Sequence, residues 1–307
     1  MDRVSATNDL AFKKVLASEE NIDILQGLIA DFYEIEVENL KINNPYSIAE
    51  YKEILDGKDI AKLRQTIKDV SASFKIADFV AELQVRASRF FDERAIYYPF
   101  DRFCKNFNKT GEMVFDSQGR LNRYSSLRPV YALNILGYTH FKKCGRHNDD
   151  NALHIFELYD VKNQRLYNNN LIKIGFFELT KNEGLTVNQR HWQNYFNTGV
   201  VDVSAPEYIK KAGNVIEFTN MAEEEKLVIE ALQKDEAIRI AENQQSFIDG
   251  RQEGFLDGRQ EGFLDGIAKV AKSLIEDGEP IEKIMRHTGL SEVEINSLQT
   301  SVKYKRI

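Results

Sequence analysis

Residues 66–86 read TIKDVSASFKIADFVAELQVR, and this stretch predicts two short adjacent strands. Residues 67–73 are rich in β-branched and small side chains, and residues 79–85 alternate between apolar and polar side chains. Successive strand residues point to opposite faces, so one face packs into a core while Glu82 and Gln84 stand on the other. Asp69 reaches the same surface as Glu82 if the two strands pair as neighbours.

The side chains on that surface form a candidate metal site. Asp69, Glu82 and Gln84 together offer the oxygen ligands that Mg²⁺ takes, and Mg²⁺ needs few carboxylates because it keeps several waters. Asp78 shares the strand face of Glu82 and is a substitute ligand if the pairing register differs. The spacing alone fits equally a half-buried strand whose polar face is solvated.

Composition limits the class of protein. The 307 residues, 42% hydrophobic, suffice for one large or two ordinary domains with a substantial core. The N-terminus lacks the apolar core of a signal peptide, and no apolar run is long enough to cross a bilayer. Two cysteines, Cys104 and Cys144, are too few for a disulfide framework or a structural zinc site, which favours the cytoplasm.

Charge is distributed unevenly along the chain. Residues 84–146 contain twelve Lys and Arg against five Asp and Glu, an excess of seven positive charges. The whole chain carries −7, so the remainder carries −14. A local basic excess beside the candidate site is what a nucleic-acid backbone requires, although chance clustering on a solvated surface gives the same pattern.

The remaining segments of the first two thirds of the chain predict an α/β sandwich around a mixed sheet. Residues 5–33 have helical apolar spacing, with Thr7 or Asn8 as N-cap and Asp9 in the first turn, where the helix dipole favours an acid. Residues 36–65 resemble a strand followed by an irregular segment. Residues 89–106 predict a helix, 108–124 a loop, and 129–137 and 172–181 two further strands.

The C-terminal third changes in character. Residues 223–245 predict a charged helix, and the unit RQEGFLDG then occurs twice without change, at 251–258 and 259–266. A glycine at every fourth residue from 250 to 266 costs an isolated helix about 1 kcal/mol each, which leaves self-association or a flexible tether as interpretations. Residues 267–298 predict a small helical unit whose acidic second helix is unsuited to reading DNA.

Several segments in order along the chain resemble one family. They are ATNDLAFKKVL at 6–16, KDV and AELQV within 68–85, DERAIYY at 92–98, RPVYALNIL at 128–136, FFELTKN at 176–182, and the repeat with its IMRHTGLSEVEI tail. Together they are similar to the Rpn recombination-promoting nucleases, also described as transposases of the PD-(D/E)XK superfamily. The resemblance covers nearly the whole chain.

The resemblance implies a restriction-endonuclease-like core, with a central mixed sheet flanked by helices, and divalent-metal-dependent cleavage of DNA. It assigns the motif aspartate to Asp69, the second acid to Glu82, and the usual lysine position to Gln84. It also assigns the acid of the first helix to Asp9 and the polar pair after the core strands to Arg94 and Tyr98. An amide cannot take a proton from water near neutral pH, so Gln84 is expected to orient water rather than activate it.

We therefore expect a Mg²⁺-dependent DNA endonuclease, with Mn²⁺ or another divalent ion as a substitute, linked to recombination, mobile DNA or defence against foreign DNA. Asp69 and Glu82 hold the ion in this hypothesis, and the DNA contacts come from Arg86, Arg89, Arg94 and Tyr98. The alternative is a non-catalytic oligomeric DNA- or protein-binding protein with a relic nuclease core.

The expected organisation has four parts, and no part is expected in a membrane. They are a nuclease-like domain at 1–220, a charged helix at 221–249, the repeat segment at 250–266 and the helical unit at 267–307. The repeat and the helical arm are expected to form a homo-oligomer.

Overall fold

The computed structural model of the protein describes residues 4–67, 69–109, 114–142, 150–167 and 171–303. Lys68, Lys143, Cys144 and Arg146, which entered the sequence argument, lie outside these ranges. The chain divides into two compact units, residues 1–233 and 234–307. The domain boundaries expected from the sequence stay a prediction.

Short strands make up the sheets of the first unit. In chain order they are β1 (Lys41–Ile42), β2 (Asp69–Ser73), β3 (Asp78–Gln84), β4 (Val114–Phe115), β5 (Leu121–Asn122), β6 (Val130–Leu136), β7 (Leu153–Phe156), β8 (Tyr159–Asp160), β9 (Arg165–Leu166) and β10 (Ile172–Glu178). The main sheet has the order β1-β2-β3-β6-β10-β7. Its central strands β3, β6 and β10 are parallel, whereas β1, β2 and β7 run antiparallel to their neighbours. The predicted mixed sheet is confirmed.

Helices flank this sheet, as expected for the fold class. They are α1 (Asp9–Ala17), α2 (Ile22–Tyr33), α3 (Ile48–Asp56), α4 (Ile60–Ile67), α5 (Phe91–Cys104), α6 (Val187–Thr198) and α7 (Glu207–Val215), followed by α8 (Glu223–Glu276), α9 (Ile281–Thr288) and α10 (Glu292–Lys303). One face of the sheet shares a large core with α1, α2 and α6, in which Trp192 is fully buried. The other face packs against α5 through Phe91 and Ala95.

The β2–β3 hairpin forms where the alternation of side chains predicted it. Val70 and Ala72 of β2 and Phe79 and Ala81 of β3 are fully buried in the large core, because alternate residues of both strands point to that face. The chain reverses between Phe74 and Ala77, whose backbone groups exchange two hydrogen bonds of 2.9 and 3.3 Å.

The structure corrects the expectation for residues 36–65. After the two-residue β1, the segment forms helices α3 and α4 rather than irregular backbone. The side chain of Ser47 caps α3 by accepting a hydrogen bond from the backbone N–H of Glu50. A serine followed three residues later by glutamate is a helix-start pattern that the sequence contained.

Smaller differences concern the ends of other elements. The predicted helix at 5–33 is two helices separated by a short 3-10 turn at Glu19–Asn21, and Asn8 is the N-cap of α1. The expected loop at 108–124 contains the β4–β5 pair within its described part. The helix predicted at 89–106 runs from Phe91 to Cys104 and includes Pro99.

The C-terminal third forms a longer helix than the sequence indicated. Helix α8 runs for 54 residues and includes both copies of RQEGFLDG, so the repeat is helical and not a flexible tether. In the second unit, Ala271 from the last turns of α8 packs with Ile284 of α9 and Ile295 of α10 in a small core. Gly289 ends α9 with a positive φ of 74°, a backbone conformation that glycine adopts without steric cost.

No helix within the described residues is both long enough and apolar enough to span a membrane.

Candidate active site

The hairpin places the two candidate acids directly opposite each other. In the antiparallel β2–β3 pair, Asp69 is the cross-strand partner of Glu82. Such partners project from the same face with Cβ atoms about 5 Å apart, so the two carboxylates are close enough to share one cation. Gln84 lies two residues beyond Glu82 and therefore projects from that face too.

The acids begin a row of side chains that crosses the main sheet. Glu82 pairs with Asn134 on β6, Asn134 with Phe176 on β10, and Phe176 with His154 on β7. The row lies near the carboxyl ends of the parallel strands, the end at which open α/β sheets bind ligands. Asn134 is buried and donates a hydrogen bond of 3.1 Å to the Gly175 carbonyl.

Helix α5 covers this face, so the polar side of the hairpin is not the solvated surface considered above. Glu82 is only 3% exposed, whereas Asp69 and Gln84 are partly exposed. Burying a carboxylate costs free energy unless a charged or hydrogen-bonding partner compensates it. The buried carboxylate of Glu82 therefore requires a charged or hydrogen-bonding partner.

Arg94 of α5 supplies a compensating charge. Its Nη2 atom donates to Glu82 Oε1 at 2.9 Å and to Gln84 Oε1 at 2.8 Å. The amide of Gln84 in turn donates from Nε2 to the Arg86 carbonyl at 2.6 Å. Arg94, predicted as a phosphate contact, is thus hydrogen-bonded to the second acid and to the residue at the lysine position.

Two tyrosines border the acids. Burial raises the pKa of the Tyr98 phenol, and the charges of Asp69 and Glu82 raise it further. Burial and the charge of Asp92 raise the pKa of Tyr138 to about 12, with Glu82 also contributing. Both phenols therefore stay protonated near neutral pH and can donate hydrogen bonds to anionic groups. Tyr98 was predicted from the sequence, whereas Tyr138 was not.

Lys13 is a further residue that the sequence argument missed. Its ammonium group, on α1, donates a 2.6 Å hydrogen bond to the backbone carbonyl of Asp69, and the side chain is 1% exposed. Asn44 donates to the same carbonyl at 2.8 Å and accepts from the Ser71 N–H. Burial lowers the pKa of Lys13 to about 8, although the charges of Asp69 and Glu50 oppose that shift. These contacts fix the strand end that carries Asp69.

The structure places the other predicted residues around this centre. Asp9 is in the first turn of α1, one helical turn before Lys13 and on the same side of the helix. Arg86 and Arg89 follow β3, and both side chains are exposed. Asp78, the substitute ligand, is at the opposite end of β3, where Arg102 and Asn106 donate to its Oδ2 at 3.0 and 2.6 Å. The observed register gives Asp78 no place beside Glu82.

A comparison with protein-family models gives an independent assignment. Residues 6–242 match the family described as PD-(D/E)XK nuclease family transposase. The chain belongs to this PD-(D/E)XK transposase family. The match covers nearly all of the first unit and ends within α8, and so includes the hairpin with Asp69 and Glu82. No curated protein and no solved structure matches the chain.

Membership of the PD-(D/E)XK family makes this a nuclease-like, transposase-like protein and implies DNA binding. PD-(D/E)XK nucleases generally use divalent metal ions. The donor set on the hairpin is two carboxylates and one amide, all hard oxygen ligands. Within the described part of the chain, no three His, Cys, Asp or Glu side chains converge as a metal cluster. Two carboxylates fit a small hard cation that keeps several waters, and Asp69 and Glu82 are the residues that would hold it, with the Gln84 amide beside them.

Proposed function

We propose that the protein is a divalent-metal-dependent DNA endonuclease with low sequence specificity, and that Mg²⁺ is its ion. The observation that carries the proposal is the direct pairing of Asp69 with Glu82 on a face covered by α5. A structural role alone explains a buried ion pair between Glu82 and Arg94. It gives no reason for a second acid directly opposite the first.

Each side chain has a defined task in this proposal. Asp69 and Glu82 hold the ion, and the Gln84 amide orients the attacking water by hydrogen bonding. When bound, a divalent ion lowers the pKa of water and neutralises charge that develops on the phosphate. Gln84 cannot accept a proton near neutral pH, so the side chain at the lysine position takes no part in proton transfer. Asp9 assists from α1, as the family resemblance implies.

The DNA contacts come from the exposed basic residues that follow β3. Arg86 and Arg89 are exposed just after the end of β3, and Tyr98 is close enough to the two acids for their charges to raise its pKa. Arginine and tyrosine donors bind phosphate oxygens without reading bases, which accounts for low sequence specificity. A role in recombination, mobile DNA or defence against foreign DNA follows from the family alone.

The experiment is a plasmid-nicking assay with Mg²⁺ or Mn²⁺, using Asp69→Asn and Glu82→Gln as isosteric variants. Both should lose cleavage at least a hundredfold, because each removes a charged ligand. Glu93→Gln changes an exposed acid of α5 and serves as the matched control. Cleavage by Asp69→Asn and Glu82→Gln at the rate of this control would reject the proposal.

A non-catalytic binding protein is the second candidate, and the substitution of glutamine for lysine at position 84 favours it. It predicts no stabilisation by divalent ions and undiminished DNA binding when both acids are replaced. A thermal-unfolding titration with Mg²⁺ separates the two candidates, because an ion that binds only the folded state raises its stability.

We also propose that the repeat segment assembles the protein into a homo-oligomer. Helix α8 exposes large apolar side chains at matching positions of the repeat and the preceding turn: Phe247, Ile248, Phe255, Leu256, Phe263 and Leu264 are 54–71% exposed. Repeated exposure of large apolar side chains along one helix favours a protein partner over water. Deleting residues 250–266 should reduce the mass measured by light scattering to that of the monomer, and an unchanged mass would contradict this role.

A further inference from the structure

Arg94 is hydrogen-bonded to one of the two acids proposed to hold the ion. One nitrogen, Nη2, lies 2.9 Å from Glu82 Oε1 and 2.8 Å from Gln84 Oε1, between the second acid and the amide. An ion held by Glu82 Oε1 would draw on the lone pairs that Arg94 now uses. The guanidinium and the ion would therefore compete for Glu82.

The contacts of Arg94 leave its guanidinium incompletely satisfied. Beyond Glu82 and Gln84, Nη2 has one long contact of 3.5 Å to Ser88 Oγ. The Nε atom is buried and has no hydrogen-bond partner among the described residues. The side chain is still 30% exposed, so it has a route to solvent. An arginine that moves from Glu82 to a phosphate can use its Nε and terminal nitrogens together in a two-pronged contact.

The surroundings favour such a movement. Arg94 is one helical turn before Tyr98, so both project from the same side of α5, and Tyr98 is close enough to Asp69 and Glu82 for their charges to raise its pKa. Once a divalent ion neutralises the two acids, the attraction that holds the guanidinium at Glu82 is offset by like-charge repulsion. A phosphate arriving at the ion then becomes the nearest anionic partner.

We propose that Arg94 is a displaceable counter-ion, which holds Glu82 and Gln84 before the ion binds and grips the DNA phosphate afterwards. This inference rests on the proposed function, because it requires a divalent ion at Asp69 and Glu82. It explains how one side chain stabilises the buried Glu82 in the ion-free protein and contacts the DNA phosphate in the ion-bound protein. It also makes ion binding and phosphate binding mutually dependent, as thermodynamic linkage requires.

The test measures ion binding without DNA or catalysis. The full chain is freed of divalent ions with EDTA and titrated with Mg²⁺, and its thermal unfolding is followed by the fluorescence of Trp192, the single tryptophan. Arg94→Met removes the competitor while keeping the apolar length of the side chain. It should respond at a roughly tenfold lower Mg²⁺ concentration than wild type, the effect of losing about 1.4 kcal/mol of competition.

Arg102→Met is the matched control. Arg102 lies two turns further along α5 and is ion-paired with Asp78 at 3.0 Å, so its loss should leave the Mg²⁺ midpoint at the wild-type value. Arg94→Lys keeps a positive charge but loses the planar fork, and its midpoint should fall between wild type and Arg94→Met. If Arg94→Met fails to fold, an Arg94→Lys midpoint at or above that of wild type overturns the inference.

DNA affinity in EDTA gives a second readout. Arg94 is held by Glu82 and Gln84 when no ion is present, so Arg94→Met should bind a short duplex as tightly as wild type. A tenfold weaker affinity in EDTA would show that Arg94 grips phosphate without ion displacement. If Mg²⁺ stabilises wild type and Arg94→Met with equal midpoints, the role of Arg94 as a displaceable counter-ion is overturned, but the metal site stands. If neither Mg²⁺ nor Mn²⁺ stabilises wild type or any variant, the proposed metal site is overturned as well.

Discussion

The buried ammonium of Lys13 makes the stability of the first unit depend on pH. Burial lowers the pKa of Lys13 from 10.5 to about 8 in the folded protein. Between pH 8 and 10.5 the unfolded chain therefore binds a proton that the folded chain has released, and the free energy of unfolding rises with pH. Below pH 8 both states carry the proton, so the full burial cost is present.

The size of the effect follows from the two pKa values. Between pH 7 and 9.5 a shift from 10.5 to about 8 contributes ~2 kcal/mol to the free energy of unfolding. Lys13→Met removes this group, so wild type should gain ~2 kcal/mol more than the variant over that interval. The tyrosines with raised pKa values contribute equally to both proteins, and the interval ends below the pH at which an unfolded chain ionises them.

Urea unfolding followed by the fluorescence of Trp192 provides the measurement, because this residue is fully buried in the core that α1 shares. EDTA is included so that no divalent ion binds beside Asp69. Parallel dependence of stability on pH in wild type and Lys13→Met would refute the argument. It would mean that water reaches the ammonium or that the Asp69 carbonyl compensates its burial fully.

Three further changes test the packing around the site and along α8. Glu225→Gln should cost about 3 kcal/mol at pH 7, because it breaks a buried ion pair of 2.8 Å with Lys14. Burial raises the pKa of Glu225, but the hydrogen bonds from Lys14, Tyr46 and the backbone outweigh burial and hold this pKa below its ordinary value. The difference should therefore shrink as the pH falls below 4.5 and be lost once the pH is below the pKa of the folded state. Gly137→Ala places a Cβ 2.8 Å from the Val85 carbonyl oxygen. The free energy of unfolding in urea should fall by roughly 1–3 kcal/mol, the usual cost of overpacking, and an unchanged urea midpoint would contradict this expectation. Gly258→Ala meets nothing within 4 Å and should raise helix stability by about 1 kcal/mol, seen as a higher melting temperature by circular dichroism, with no change as the contrary result.

The hairpin and its two acids could be predicted because their signal is local. Alternation with period two places Glu82 and Gln84 on one face whatever surrounds the strands, and pairing of adjacent strands then brings Asp69 to that face. The cover provided by α5 and the contact of Arg94 with Glu82 depend on packing between distant segments. The alternation of side chains within a strand carries no information about that packing.

Lys13 likewise owes its role to packing between segments that are distant in the sequence. In the sequence it is an ordinary helical lysine, four residues after Asp9 and next to Lys14. Its burial becomes visible only when α1 is packed against the start of β2, 56 residues later in the chain. Whether a helical lysine such as Lys13 is buried or exposed depends on tertiary contacts that the helical pattern does not show.

The length of α8 was underestimated for a different reason. The cost of each glycine rules out a helix only if the repeat has to start that helix by itself. In a continuous 54-residue helix the costly first turn forms once, and the repeat only has to propagate it. Helix α3 was missed although Ser47 and Glu50 have the spacing of a capping pair.

The tight reversal between Phe74 and Ala77 carries a consequence for how this protein can evolve. Surface turns usually accept extra residues, but here Lys75 and Ile76 alone connect the hydrogen-bonded Phe74 and Ala77, and the alignment of the two strands beyond them brings Asp69 beside Glu82. One inserted residue that moved Val70 into the place of Asp69 would turn Asp69 toward the apolar core and leave Glu82 facing Val70. A change in chain length at this turn should therefore disturb the site more than a change in the identity of Lys75 or Ile76.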